Sequence, residues 1–299
     1  MNIACGYTVP ITLYGIPPKP EDHLKAMDEI GTAGFNVVEL ELYDELIPEH
    51  QRDLPKMKEI LKKYNQKIAS IMAVEEHMFS IDPKIKEKAI KDFNTITDMI
   101  VELGCPIVEI CGYMPPEIRP KDTALYVGGP STAVIVNDDF SWQVFWENAV
   151  DLITQCAKIA GRKGLIFSIE TRANDVFSST DALMRLIDRV QENLKKENLS
   201  CEMGVTYDVA HVHAGKEYLS LVTLKLGSLI KLVHLSDNDG SFAYHYQPNE
   251  GNGNIDFPML FKQLKQIGYD GTLVVDTVGG KDPIRAAVKA REYYQSLMG

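Results

Sequence analysis

Four side chains that can bind a metal ion lie at the ends of four successive apolar segments in the second half of the chain. Glu170 ends LIFSIE, Asp208 ends MGVTYD, His234 lies inside LIKLVHLSD and Asp276 ends GTLVVD. Carboxylate oxygens favour Mg²⁺ or Mn²⁺, and a single imidazole also admits Co²⁺ or Zn²⁺. If the segments are parallel strands, the four side chains meet at one end of the sheet. The sequence therefore predicts one divalent metal ion, with Mn²⁺ preferred.

Each of these side chains also has a structural interpretation. An acid at the end of a strand often caps the next helix or pairs with an Arg, and for Asp208 or Asp276 alone we would favour that role. The four residues taken together change this interpretation. Three carboxylates at one place are costly to bury unless a cation compensates their charge. Their shared location therefore predicts a metal site.

Two histidines in the same half are candidate substrate-binding residues. His211 follows Asp208 by three residues and is expected to touch a bound substrate, with a helix-start surface residue as the alternative. His245 lies in SFAYHYQPNEGNGNID, a segment whose glycines permit close backbone approach. This loop could hold the imidazole over the site, and an exposed loop histidine is the alternative.

The first half offers fewer candidates. Tyr7 follows the first apolar segment and is expected to form part of an aromatic wall, and His77 in EEH is a further candidate for substrate contact. A solvated loop is the alternative for His77. Within VVELEL, we expect only one of Glu39 and Glu41 to line the pocket floor.

The elements that must position these residues alternate along the chain. Short segments rich in β-branched residues alternate with longer amphipathic ones, as in βα units on a parallel sheet. The predicted strands are Ile3–Gly6, Phe35–Leu42, Ile68–Val74, Pro106–Cys111, Leu165–Glu170, Met203–Asp208, Ile230–Ser236 and Thr272–Asp276. The predicted helices are Pro20–Ala33, Glu49–Tyr64, Pro83–Leu103, Phe140–Arg162, Asp181–Asn198, Phe257–Ile267 and Pro283–Leu297, and the sixth connection, around Lys216–Leu226, is short.

Eight βα units without a linker favour a closed barrel over a doubly wound sheet. We therefore predict an α/β fold with one (β/α)₈ TIM barrel domain over residues 1–299. No GxGxxG follows an early strand, so a nucleotide cofactor is not expected. Two long loops, 112–139 and 237–254, lie on the presumed catalytic face and are candidate lids.

Bulk composition limits the partners. The net charge of -11 repels phosphate backbones, and the sequence contains no Lys/Arg run that would attract nucleic acid. No window offers about 18 uninterrupted apolar residues for a membrane span. The five cysteines are odd in number and lack CxxC spacing, which indicates reduced thiols. We expect a cytoplasmic protein.

Four motifs support a family resemblance: SIET at Ser168–Thr171, TYDVAHVHA at Thr206–Ala214, VHLSDNDG at Val233–Gly240 and the stretch from His245 to Asp256. With its eight-unit layout, the chain resembles the xylose isomerase-like TIM barrels, the sugar phosphate isomerase/epimerase superfamily that also contains endonuclease IV. The resemblance implies that one divalent cation is bound by Glu170, Asp208, His234 and Asp276. The last ligand is usually Glu in such relatives, and this chain has the shorter Asp276.

The resemblance also implies a reaction. Epimerase relatives abstract a proton next to the carbonyl of a keto-sugar or cyclitol through an enediolate, and the first and last ligands exchange the protons. That implies catalytic roles for Glu170 and Asp276, with His211 steadying the enolate. The ketose 3-epimerase branch adds an acid and an Arg at positions where this chain has Val176 and Gly240.

Other activities in the same fold remain open. Relatives use the same first step as lyases, namely inosose and 3-dehydroshikimate dehydratases and C-glycoside deglycosidases. Endonuclease IV adds a His and an Asp as ligands at positions that carry Cys111 and Ala243 here. An inactive sugar-binding barrel is the non-enzymatic alternative. The expected partner is a small carbohydrate, and relatives often form dimers or tetramers.

Overall fold

Eight parallel strands close into a barrel in the computed structural model, which describes residues 1–120, 134–278 and 281–298. The last barrel strand pairs with the first, with Asn2 opposite Thr272, and every other neighbouring pair is also parallel. The strands, including a separate two-stranded ribbon β5–β6, are β1 Asn2–Cys5, β2 Val37–Tyr43, β3 Lys67–Val74, β4 Ile107–Ile110, β5 Ile118–Pro120, β6 Val134–Val136, β7 Ile166–Glu170, β8 Met203–Asp208, β9 Ile230–Leu235 and β10 Thr272–Val275. The predicted barrel is confirmed.

Helices return the chain between the strands. They are α1 Thr8–Tyr14, α2 Pro20–Thr32, α3 Ile47–Lys63, α4 Pro83–Glu102, α5 Trp142–Arg162, α6 Thr180–Lys196, α7 Val209–Ala214, α8 Leu219–Leu226, α9 Phe257–Gln266 and α10 Pro283–Met298. The seven predicted helices agree with these bounds to within about two residues at most ends. The short helices α1, α7 and α8 were not predicted, because each is too short to show a clear 3.6-residue period.

Side-chain caps set several of the helix starts that the sequence indicates. Asp82 accepts a hydrogen bond from the backbone N–H of Lys84, with Pro83 in the first turn of α4. Ser179 caps α6 in the same way through the N–H of Ala182. Each cap satisfies a donor that a helix N-terminus leaves unpaired. The caps therefore fix where each helix begins behind its strand.

The apolar core lies between the barrel and the surrounding helices. Buried aromatic rings from several elements meet there; the Phe177 ring lies 5.4 Å from Phe79, 6.0 Å from Phe145 and 5.9 Å from Trp146. The inside of the barrel is different, because it contains buried carboxylates and an imidazole. All five cysteines are buried and unpaired. Within the described ranges, no helix is both long enough and apolar enough to cross a membrane.

Both long loops begin at the carboxyl ends of barrel strands. The first contains the β5–β6 ribbon, and residues 121–133 of the predicted loop 112–139 lie outside the described residues. The second is tied down by an antiparallel bridge between Asp237 and Tyr246. A Cβ on Gly253 would lie 2.1 Å from the Asp237 side chain, so only glycine permits that approach. This loop therefore forms a structured cover over the strand ends.

Candidate metal centre and active site

The structure brings the four predicted ligands together around His234. Its Nδ1 lies 3.0 Å from an Oε1 of Glu170, 3.8 Å from Oδ2 of Asp208 and 4.0 Å from Oδ2 of Asp276. All four residues are buried. Glu170, Asp208 and His234 offer ligand atoms within 4.8 Å of one another, and Asp276 lies at the edge of this set.

The orientation of the imidazole fits a cation among these atoms. His234 Nε2 lies 2.8 Å from Oε1 of Glu39, a contact that places the proton on Nε2 and the lone pair on Nδ1. Neither Nδ1 nor the buried Oδ2 of Asp208 has a hydrogen-bond partner among the described residues. A lone pair that faces three carboxylates is repulsive unless positive charge lies between them. The residues present therefore fit a divalent metal ion.

Without a metal, a proton takes the same role. Burial alone would lower the pKa of His234, but Glu39 and Glu170 outweigh it and raise that pKa well above its ordinary value. Burial would also raise the pKa of Glu170, yet its contact with His234 lowers it to about 2. A metal ion and the imidazole proton thus compete for one position, which makes metal binding depend on pH.

Asp208 combines the structural and the metal-binding interpretations. Its Oδ1 accepts a hydrogen bond of 2.8 Å from the backbone N–H of His211 and caps α7. Its Oδ2 remains directed at the site without a partner among the described residues. Burial raises the pKa of Asp208 to about 7. One oxygen therefore fixes the side chain and the other is available to a cation.

His211 and His245 lie together above the ligands. Their ring centroids are 4.9 Å apart with an edge-on arrangement, and both rings line the cavity. His245 Nδ1 lies 2.9 Å from Oδ2 of Asp276. Burial lowers the pKa of His211 well below its ordinary value, whereas Asp276 and Asp208 outweigh burial and raise the pKa of His245 to about 9. At neutral pH this pair therefore consists of one neutral imidazole, His211, and one charged imidazole, His245.

A polar floor supports His234 from below. Glu39 Oε1 also accepts a hydrogen bond of 3.0 Å from Ser70, and the Thr206 hydroxyl donates to Glu109. Burial and the neighbouring Glu39 raise the pKa of Glu109 to about 8, so this deeper acid is neutral at pH 7. The floor therefore holds Nε2 of the imidazole through the Glu39 carboxyl group.

The expectation that only one of Glu39 and Glu41 faces inward was wrong. Both line the same cavity. Strand residues alternate faces with a period of two, so residues two positions apart share a face. A register irregularity between Val38 and Glu39 accompanies this arrangement in the pairing of β2 with β3.

The candidate residues converge on a cavity of about 490 Å³ at the carboxyl ends of the strands. Tyr7, His211 and His245 line it, together with Glu170, His234 and Asp276. His77 does not: it is exposed on the turn after β3 and is absent from the cavity wall. The polar contact expected from His77 is therefore not part of the site that the structure assembles.

The sequence interpretation missed several lining residues. Arg172 lies two positions beyond Glu170, its Nε is 3.8 Å from Oε2 of that residue, and its guanidinium lies 5.3 Å from the centroid of the Tyr113 ring. Cys111 donates its thiol hydrogen to the same Glu170 carboxylate at 3.0 Å. The period of two was an available signal for Arg172, because it lies on the face of Glu170. The same signal was available for Cys111, the last residue of the predicted strand Pro106–Cys111, and for Tyr113 two positions beyond it.

Replacing Glu39 with Gln is expected to weaken metal binding by roughly 10- to 100-fold, since the carboxylate fixes the tautomer and basicity of His234. The Gln amide has nearly the same shape as the carboxylate, but it can present its NH₂ group instead of an oxygen to Nε2 of His234. Titration of the purified variant with Mn²⁺ and Zn²⁺ measures the effect. Glu102→Gln, on an exposed end of α4, is the matched control and should bind as the native chain does. Unchanged affinity in Glu39→Gln would show that Glu39 does not orient the ligand.

Comparisons with known proteins agree with this architecture. A family model described as a xylose isomerase-like TIM barrel matches residues 27–297. Inosose dehydratase from Clostridium beijerinckii is 22% identical over 301 residues, which cover 92% of this chain and 89% of that protein. The structure of D-allulose 3-epimerase from Methylomonas sp. has a TM-score of 0.73 at 21% identity and covers 99% of this chain and 98% of that one.

A crystal structure of IOLI protein with a binding zinc atom is also similar. Its TM-score is 0.71 at 16% identity, and the match covers 100% of this chain and 98% of that one. At such identities the two structural matches show the fold alone. The family model, in contrast, spans nearly the whole chain, including all the strands that carry the candidate ligands. The chain therefore belongs to the xylose isomerase-like TIM barrel family.

Proposed function

We propose that this protein is a divalent-metal-dependent isomerase or epimerase that removes a proton next to the carbonyl of a keto-sugar or cyclitol. One observation carries the proposal. Glu170 and Asp276, whose pKa values are both lowered, approach the same imidazole nitrogen inside one cavity. Two carboxylates that stay ionised at neutral pH provide two bases in one cavity, and inversion at a carbon needs one proton-transfer group for each face of that carbon.

The proposed metal set is Glu170, Asp208, His234 and Asp276. A divalent cation held there would polarise the substrate carbonyl and so acidify the neighbouring C–H bond. Mn²⁺ is the ion we propose, and the zinc named for the similar IOLI protein supports a divalent ion of this class. The single imidazole among three carboxylates is a donor set that accommodates both.

The other residues hold the substrate and its developing charge. One of Glu170 and Asp276 takes the proton from carbon. In the isomerase reaction the other, which is also ionised, returns a proton that it first receives from the charged His245, 2.9 Å from Oδ2 of Asp276. His211, neutral at pH 7, and His245, which is charged, would donate hydrogen bonds to the oxygen on which negative charge develops. Tyr7 adds an aromatic surface to the wall, and the loop from Asp237 to Asn254 limits access of water.

An uncharged carbohydrate fits this cavity best. Arg172 is the one Arg or Lys on the described part of its wall, and it lies near the Glu170 carboxylate. A phosphate would meet several carboxylates and little compensating charge. The names of the similar proteins, inosose dehydratase and D-allulose 3-epimerase, also indicate small unphosphorylated substrates. A cytoplasmic location, a homo-oligomer and the lack of nucleic-acid or membrane partners stay predictions.

A lyase is the second candidate. Val176 and Gly240 occupy the positions where ketose 3-epimerases place an acid and an Arg, and the inosose dehydratase match spans most of both chains. The cavity wall also includes Phe242, Val278 and the ring of Tyr244. These apolar surfaces cannot hydrogen-bond to the hydroxyls of a free sugar. Elimination begins with the same proton abstraction, so the two reactions differ only after that step.

Proton exchange with solvent tests the shared step. The protein loaded with Mn²⁺ is incubated in D₂O with D-allulose, D-tagatose or inosose, and NMR follows deuterium at the carbon next to the carbonyl. We expect exchange with at least one substrate, accompanied by an epimer for an isomerase or by an enone for a lyase. Protein stripped of metal is the control and should not exchange. No exchange with any of the three would contradict the proposal.

A further inference from the structure

Glu41 is a carboxylic acid on the cavity wall for which the proton abstraction above has no use. It lies on β2, two residues beyond Glu39, and is therefore about 6.6 Å nearer the carboxyl end of the barrel than the contact between Glu39 and His234. In the strand order β2 lies opposite β8, the strand that ends in Asp208. Glu41 therefore faces Asp208 across the barrel, whereas the strand of Glu170 is three places and that of Asp276 two places from β2.

A hydrogen bond fixes which oxygen of Glu41 faces the cavity. The Tyr43 hydroxyl donates to Oε2 of Glu41. Burial is the largest influence on Tyr43 and raises its pKa, so this hydroxyl keeps its proton and remains the donor. Because Oε2 accepts, an acidic proton on Glu41 is left on Oε1, which has no hydrogen-bond partner among the described residues. Glu41 is only partly buried, and its free oxygen belongs to the cavity side.

The surroundings of Glu41 favour its neutral form. Burial is the largest influence and raises the pKa of Glu41; the Tyr43 hydrogen bond lowers it, Glu39 and Glu170 raise it, and Arg172 lowers it, with a result of about 8. Tyr7 and Tyr113 are the other titratable groups that sense Glu41, and burial raises the pKa of both, so they stay neutral. At neutral pH Glu41 therefore keeps its proton in the same cavity in which Glu170 and Asp276 are ionised.

We propose that Glu41 is the proton donor to a leaving oxygen of the substrate, so that after the proton abstraction proposed above this site can also complete β-elimination from a keto-sugar or keto-cyclitol. The inference rests on the proposed function, whose proton abstraction is its first half. Glu170 or Asp276 takes the proton from the carbon next to the carbonyl. The C–H electron pair forms a C=C bond, the C–O bond at the β carbon breaks, and the departing oxygen takes that bond's electrons and the Glu41 proton. The products are an enone and water or an alcohol, and no oxidant is needed.

The substrate class follows from this arrangement. It must carry a carbonyl, a hydrogen on the adjacent carbon and an oxygen substituent on the next carbon, so that the base and Glu41 act on neighbouring carbons from different strands of the barrel. A 3-keto glycoside meets these requirements, with its aglycone as the leaving group. Phe242 and Tyr244 provide aromatic surface for such an aglycone at the loop that covers the cavity.

Leaving-group dependence tests this role. Methyl and 4-nitrophenyl 3-keto-β-D-glucosides are supplied to the native chain and to Glu41→Gln, both loaded with Mn²⁺. We expect Glu41→Gln to lower kcat/KM for methanol release by roughly 10²- to 10³-fold. Release of nitrophenolate, which departs without a proton, should fall by less than about tenfold. A purely structural role of Glu41 would lower both rates equally.

Further measurements separate the possible failures. Glu45→Gln, an exposed acid four residues on, is the matched control and should behave as the native chain does. Metal content and thermal unfolding show whether Glu41→Gln folds. Equal losses for both leaving groups, or no loss, would overturn the role of Glu41. A native chain that exchanges D-allulose or inosose but releases neither alcohol overturns elimination and leaves the proposed function standing; no exchange with any probe removes both.

Tyr43→Phe provides a second variant that keeps the acid itself. The hydroxyl of Tyr43 lowers the pKa of Glu41, so its removal raises that pKa further. Activity that needs protonated Glu41 falls as pH rises through the pKa of Glu41, and we expect this basic limb to move to higher pH in Tyr43→Phe. The proposal is contradicted if the basic limb of the Tyr43→Phe pH profile stays where it is in the native chain and Glu41→Gln shows the same leaving-group dependence as the native chain.

Discussion

Glu170→Gln and His234→Ala are each expected to fold into the same barrel, bind no stoichiometric metal and lose turnover by roughly 10³-fold or more. Glu170 has two proposed roles, as ligand and as base, and general base catalysis alone contributes typically about 10² to 10⁴. The other proposed ligands surround Nδ1 of His234, since three carboxylates lie within 4.0 Å of that atom. Elemental analysis after dialysis against Mn²⁺, together with the exchange assay, measures both losses.

Glu202→Gln is the matched control for Glu170→Gln. Glu202 is exposed at the opposite end of the neighbouring strand and pairs with Lys231 at 2.9 Å, so its change should leave metal content and activity intact. Metal added at about 100 times its Kd should stabilise the native chain by about 2.7 kcal/mol and the ligand variants by much less. One equivalent of metal in both ligand variants would contradict the assigned centre. Full activity of Glu170→Gln would remove its role as base.

The barrel and the convergence of the four proposed ligands could be predicted because both depend on short-range patterns. Strand segments show β-branched runs, helices show caps and a 3.6-residue period, and each ligand candidate lies at the end of its own strand. Parallel connectivity then places all four ends at the same rim. The structure adds what these patterns cannot contain. Whether the Nδ1 or the Nε2 of His234 faces the ligands depends on Glu39, which lies 195 residues earlier in the chain.

The residues that sequence reasoning placed wrongly or missed depend on contacts between distant segments. His77 and His245 both lie in polar loops. The β-bridge of Asp237 and its buried side chain hold the loop of His245 over the barrel, whereas the turn that contains His77 stays at the surface. Tyr113 and Cys111 reach the cavity because β4 lies beside β7 in the barrel. The expectation that Glu39 and Glu41 face opposite sides overlooked the period of two in a strand, which places residues two positions apart on the same face.

Asp276→Asn is expected to separate metal binding from catalysis. Asp276 lies at the edge of the ligand set, 4.0 Å from His234 Nδ1, and its Oδ2 is also 2.9 Å from His245. Loss of its charge should therefore weaken metal binding less than loss of Glu170 does. Turnover should fall by roughly 10²- to 10⁴-fold, because the amide can no longer accept a proton. Metal titration and the rate of epimer or enone formation measure the two effects separately.

The exchange assay shows which proton Asp276 handles. If Glu170 removes the proton from carbon, Asp276→Asn still exchanges deuterium at that position but forms little epimer, because the second acid is missing. If Asp276 is the first base, exchange and product formation fall together. Asp270→Asn is the matched control, since Asp270 is exposed at the opposite end of β10 and should leave both rates unchanged. Near-native turnover by Asp276→Asn would assign all proton transfer to other groups and leave Asp276 as the partner of His245 alone.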